Sequence, residues 1–170
     1  MLSEEELIKS GVLRVAELMA VAAKTAPKAR GRDNIKVAVI ADKEELERLA
    51  AKMEELAPTR GSFFARDAGN VRVSDAVVLI GADVIDLGLP SPTNEEGVDL
   101  NTYMALVNLG IAVGSAVKTA SILNVDNRIM YSIGVAAKEL GLMKAEYVLG
   151  IPLSARAKNP YFDRKHGHSK

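Results

Sequence analysis

Apolar residues recur near the start of the chain with helical spacing. Ile8, Val12, Val15, Met19 and Ala22 follow one another at steps of four and three, the stripe of an amphipathic helix. Ser3 with Glu6 three residues on forms a capping box that opens this helix, and it is expected to run to about Lys24 and stop before Pro27. "IKVAVIA", residues 35–41, is short, apolar and β-branched and predicts a buried strand. Asp42 with Glu45 caps a second helix whose inner face is Leu46, Leu49, Met53 and Leu56, closed by Pro58 and Gly61. Residues 59–72 fit neither period, and Phe63 and Phe64 are expected to anchor this connection to the core. "DAVVLIGAD", residues 75–83, predicts a second buried strand, and residues 87–99 form a long loop rich in Gly, Pro and acid, expected to be mobile.

Residues 100–123 predict the strongest helix. Leu106, Val107, Leu109, Ile111, Val113, Val117 and Ile122 leave it apolar on nearly every side, which predicts burial on every side, with a dimer partner covering what one small chain cannot. Asp126 is expected to start a further helix, with Arg128 in its first turn and Gly141 at its end. Residues 146–152 predict a third strand, and residues 160–170 a flexible tail. The order predicts a single α+β domain over residues 1–170: an α/β sandwich with one small central sheet flanked by helices and a long buried central helix at a dimer interface.

Composition narrows the chemistry. The 170 residues include no cysteine, so disulfides, thiolate-held zinc or iron–sulfur clusters and a thiol nucleophile are excluded. Both histidines, His166 and His168, lie in the tail, which argues against a folded histidine metal site or histidine acid–base catalysis. Net charge is zero, so attraction for an anion has to be local. Aromatics make up 4%, too few to interleave with the basic stretch as nucleic-acid binding requires. The acidic start "MLSEEELIKS" and the lack of an apolar run of about 20 residues predict a cytoplasmic protein without a membrane span. The absence of Cys and Gln beside plentiful Glu and Lys points to a thermophilic source.

Three stretches carry candidate chemistry. In "AAKTAPKARGRDNI", Lys24, Lys28, Arg30, Arg32 and Lys36 face a single acid, Asp33. This is either an anion site built from turn N–H groups and cations, or a solvated helix exit whose cations suit the helix C-terminus. Gly110 and Gly114, one turn apart with Ser115 beside them and Lys118 a turn further on, mark a helix face that something approaches closely, either another helix or a flat ligand. Ser154, Arg156, Lys158, Asn159 and Arg164 follow the last strand, where ligand crevices of α/β proteins often open, or they form a solvated tail. The acids Asp83, Asp86, Glu95, Glu96 and Asp99 flank the long loop without the spacing of a metal-binding loop, so no metal site is expected. No arrangement identifies a catalytic residue.

Two resemblances enter on these residues. "TAPKARGRDNI", "DLNTYMALVNLGIAVGSAVKTASILNVDNRIMYSIGVAAKELG" and "VLGIPLSARAKNPYFDR" resemble an uncharacterised prokaryotic family described as ferredoxin-domain-containing. Its members typically carry a cysteine cluster before the long helix, where "DVIDLGLPSPTNEEGVDLNTY" has none, so the iron–sulfur label does not transfer. More distantly, the order of elements resembles the flavin-dependent nitroreductase superfamily. That resemblance implies an intertwined homodimer binding FMN at the subunit interface, with a small anionic ligand as its partner chemistry. It implies cofactor contacts from the turn at Pro27, Lys28, Arg30, Gly31 and Asn34, from Gly110, Gly114 and Ser115 on the helix, and from Pro152, Arg156 and Lys158 after the last strand. The superfamily's opening arginine motif for the FMN phosphate is missing from "MLSEEELIKSGVLRV". The resulting expectation is an NAD(P)H-dependent flavin oxidoreductase. The alternatives are a non-catalytic dimer and a binder of another phosphorylated small molecule.

Overall fold

Local capping sets where the chain begins to be regular. Ser3 accepts the Glu6 N–H while the Glu6 carboxylate accepts the Ser3 N–H at 2.7 Å, and helix α1 runs Glu4–Thr25. The computed structural model describes residues 1–89, 93, 95 and 97–162. His166, His168, Arg164, Glu96 and the tail from residue 163 lie outside the described residues.

After α1 come β1 (Ile35–Ile40), α2 (Lys43–Arg60), α3 (Phe63–Arg72), β2 (Ala76–Ala82), α4 (Leu100–Ile122), β3 (Asp126–Asn127), α5 (Tyr131–Glu139) and β4 (Tyr147–Ser154). The four strands form one antiparallel sheet in the order β1-β2-β4-β3. All seven residues of β2 are buried, because it has a strand on each side and helices on both faces. Alternation along β2 divides the core in two: Val78 and Ile80 pack with α1 and α4, while Val77 and Leu79 pack with α2, α3 and α5. The α+β sandwich with a small central sheet is therefore the observed architecture.

Four expectations change. Residues 59–72 hold helix α3; Phe64 is fully buried, but Phe63 stays partly exposed. Helix α2 continues through Pro58 to Arg60, so the proline gives up one i→i−4 bond in the last turn without ending the helix, and Gly61 closes it at φ +119°. Asp126 does not open a helix. Asn124 turns left-handed at φ 59°, Val125 N–H closes back on Ala120, and Asp126 pairs with Ser154 instead, so α5 starts only at Tyr131. Helix α4 is long and apolar enough by composition to cross a membrane, contrary to the expected lack of such a run. One chain buries only its inner face, with Ala105, Asn108, Leu109, Ala112, Val113, Ala116 and Ala120 against α1 and the sheet. Tyr103, Leu106, Val107 and Ile111 face outward and exposed.

Candidate functional site

The cation-rich turn leaves α1 through Pro27 and a short 3-10 turn, Ala29–Gly31. Arg30 and Gly31 both have positive φ, 54° and 65°. Lys28 Nζ donates to the carbonyls of Ala23, Lys24 and Ala26 at 3.2, 2.6 and 2.7 Å. An ammonium has three donors, and all three are taken by the end of α1. Burial pushes the Lys28 pKa below the usual lysine range, partly offset by Asp33. Arg30 donates to the carbonyls of Leu87 and Gly88, and Arg32 to that of Asp86, so both hold the following loop. The N–H groups of Ala29, Gly31 and Arg32 are bonded within the chain, which leaves those three unavailable to an anion. Lys28 thus caps the end of α1, while the two arginines act as a clamp that keeps free donors on each guanidinium.

The turn is pinned from beneath by an asparagine that no local motif marks. Asn108, 2% exposed on α4, accepts the Ala29 N–H at 2.9 Å and donates to Asn34 Oδ1 at 2.9 Å. Asn34 in turn donates to the Asp83 carbonyl at 2.7 Å. An amide in an otherwise apolar helical run was the available signal.

Gly110 and Gly114 lie on the outward face of α4, and a Cβ at either would meet nothing within 4 Å. Ser115 is half-buried beside them, and Lys118 continues the same face. Gly110 also borders a cleft of about 480 Å³ between α4, α5 and the start of β4, walled by Leu106, Leu109, Tyr131, Val135 and Tyr147.

The end of β4 is different. Pro152 is buried in the strand, opposite Val77. Arg156 donates to Asp75 at 3.1 Å, and exposed Lys158 follows it. Three concavities meet along the first half of α1. One of about 430 Å³ is lined by Lys9, Lys43, Arg72, Asp75 and Arg156 among others. A second, about 280 Å³, shares Lys9, Asp75 and Arg156 and adds Glu4 and Ile8. The third, about 290 Å³, shares Ile8 and is walled by Gly11, Val12, Val15, Leu123, Asn124, Val125 and Ala155. Together they form a trough with a charged end and an apolar end. Arg72 is held by Glu47 and Glu54, but among the described residues the side chains of Lys9 and Lys43 make no hydrogen bond or ion pair. Gly11 leaves the floor open, since nothing lies within 4 Å of its Cβ position.

The expected contact residues therefore fall in three places. Register puts the turn beside Ala82 and Arg156 beside Ala76, and six strand steps of about 3.3 Å separate these ends by about 20 Å. Within one chain, Arg156 does not meet Lys28, Arg30 or Asn34. Lys9, Gly11, Lys43, Asp75 and Asn124 join the trough without having been singled out in the sequence.

Comparison with known proteins agrees with this architecture. Residues 99–164 match the model of a family described as "Uncharacterized protein containing a ferredoxin domain (DUF2148)". An uncharacterized protein of Archaeoglobus fulgidus is 43% identical, over 96% of this chain and 97% of its own. Among solved structures, a nitroreductase with bound FMN from Desulfitobacterium hafniense superposes with a TM-score of 0.61 at 18% identity, covering 93% of this chain and 80% of that one. The hypothetical oxidoreductase YcnD from Bacillus subtilis gives 0.59 at 16% identity, covering 86% of this chain. The chain spans 58% of the length of that Bacillus protein. These likenesses establish a nitroreductase-like fold.

Proposed function

The chain belongs to the family of uncharacterized proteins that contain a ferredoxin domain, and from that footing we propose that it is a homodimeric flavin-binding redox protein, with FMN lying in the trough along α1. A cysteine-held iron–sulfur cluster does not fit, because the chain has no thiolate to hold one. The observation that carries the flavin reading is the polarity of the trough. Its apolar end offers Ile8, Val12, Leu123 and Val125 over the open Gly11 floor, which suits a flat ring. Its other end offers Lys9, Lys43 and the spare donors of Arg156, which suit a phosphate. Glu4 and Glu5 at the mouth lower the net positive charge, so the hold on a phosphate rests on those three cations.

Bound there, FMN supplies hydride chemistry, for which no protein nucleophile is needed. The chain's own part is to seat the ring away from water on one side and to fix the tail by charge. The outward face of α4, with Leu106, Val107 and Ile111 exposed around Gly110 and Gly114, is the surface on which a second copy packs. In such a dimer, the turn at residues 27–34 of one copy is free to complete the trough of the other.

The visible spectrum of the purified protein and an FMN titration followed by flavin fluorescence test the reading. A yellow protein, or quenching that saturates at about one FMN per chain, is the expected result; NAD(P)H oxidation is then the next assay. Lys9→Glu is expected to weaken FMN about tenfold, the effect of losing one charge-assisted contact. A colourless protein without quenching sinks the flavin reading and leaves a dimer that binds some other anion or no small molecule.

A further inference from the structure

We propose that residues 155–162 form a detachable strap: Tyr161 docks it against one end of the sheet, and its release withdraws Arg156 from the trough. The strap leaves the end of β4 and closes in a 3-10 turn, Pro160–Phe162. Tyr161 is 2% exposed, with its hydroxyl beside Ser74 at the entry to β2. Counting protons fixes the direction of that contact. Ser74 Oγ gives its one proton to the Asn70 carbonyl at 2.7 Å, so Tyr161 is the donor in the 2.9 Å contact and Ser74 accepts. Arg128 donates to the Tyr161 carbonyl at 2.7 Å and lies 4.9 Å from the Phe162 ring, while the Arg156 N–H donates to Asp126. Against these contacts stands a penalty. Among the described residues, Ser154 Oγ and Asp75 Oδ2 are buried without a hydrogen-bond partner. Both lie at this end of the sheet: the Asp75 N–H donates to the Leu153 carbonyl at 2.9 Å, and Ser154 pairs with Asp126. Both also act on the Tyr161 phenol, which places them near its hydroxyl. Solvent touches neither atom while Tyr161 is seated. A buried polar atom without a partner is disfavoured, so hydration of these two on release offsets part of what the Tyr161 contacts contribute. The strap therefore lets go before β2 and β4 unpair. Arg156 lies within it and lines the charged end of the trough, so that cation is present only while the strap is docked.

Residue-resolved amide hydrogen exchange on the full chain tests this. The N–H groups of Tyr161 and Arg156 are bonded to Asn159 Oδ1 and Asp126 Oδ2. They are expected to exchange together, on the order of a hundredfold faster than those of β2. Ser154→Ala removes one unpartnered hydroxyl with little change in volume, and it is expected to slow both about tenfold. Tyr161→Phe removes the bond to Ser74 and is expected to speed both about fivefold. A loop that merely fluctuates at the surface would respond to neither variant. Three results overturn the proposal. One is exchange at Tyr161 as slow as in β2, which means no separate opening. Another is exchange at Arg156 indifferent to Tyr161→Phe, which means that Arg156 does not travel with the ring. The third is a rate in Ser154→Ala that is unchanged or faster, which means that the buried hydroxyl does not oppose docking. No flavin enters the experiment, so its outcome stands apart from that of the flavin reading.

Discussion

Lys28 and Tyr161 show how a side chain's surroundings decide its work. Lys28 sits amid four other cations in sequence, yet its three bonds to α1 carbonyls make it a helix cap. Tyr161 was not singled out in the sequence. It is 2% exposed, and its hydroxyl lies 2.9 Å from Ser74 Oγ, behind the Asp75–Arg156 pair. Burial pushes the Tyr161 phenol up to about 12 from an ordinary 10.0. A folded pKa above the unfolded one means that the stabilisation is complete below pH 10 and is lost as pH rises toward 12. That rise corresponds to about 3 kcal/mol. Thermal melts of wild type and Tyr161→Phe should therefore converge between pH 10 and 12, because only wild type has this phenol to ionise. Melting curves that stay parallel across that range would show that the buried hydroxyl is not what titrates.

At the scale of elements, glycines divide into two kinds. A Cβ at Gly134 would stand 1.9 Å from the Val148 carbonyl oxygen, so there α5 lies against the backbone of β4, while one at Gly150 would stand 2.0 Å from the Ile133 side chain, which fills that space. Gly134→Ala is expected to destabilise the chain by about 3 kcal/mol. Gly110→Ala meets nothing and is expected to stabilise the isolated helix by about 1 kcal/mol. Urea unfolding of the two variants checks the pair, and equal effects would contradict the packing described. Capping and buried apolar runs were what the sequence made legible: Ser3 with Glu6, Asp42, and the buried strand β2 all stand in the structure. Helix α3 was not legible, because Gly69 and Asn70 interrupt its pattern, and it holds its place by burying Phe64, Ala68 and Val71. β3 was not legible either, since two residues have no period and Asp126 is ordered by Ser154 from the far end of the chain. The trough escaped for a related reason. Its walls come from α1, the start of α2, the entry to β2, the end of α4 and the exit of β4, and no local motif spans them.

For the whole molecule, the question raised by α4 is what covers its outer face. Tyr103, Leu106, Val107 and Ile111 are too close together on one helix to be scattered surface residues. Under the proposed dimer, Ile111→Glu is expected to shift sedimentation from dimer to monomer while the far-UV spectrum is unchanged. A variant that still sediments as wild type would move the interface elsewhere. Helix α1 adds a further consequence. Its 22 residues span about 33 Å, with the trough beside its first half and the turn at its far end. A pocket closed by a neighbour's turn exists only as often as two copies meet. Under the proposed dimer, mass action ties occupancy to protein concentration: dilution is expected to strip FMN, and FMN in turn to hold the pair together.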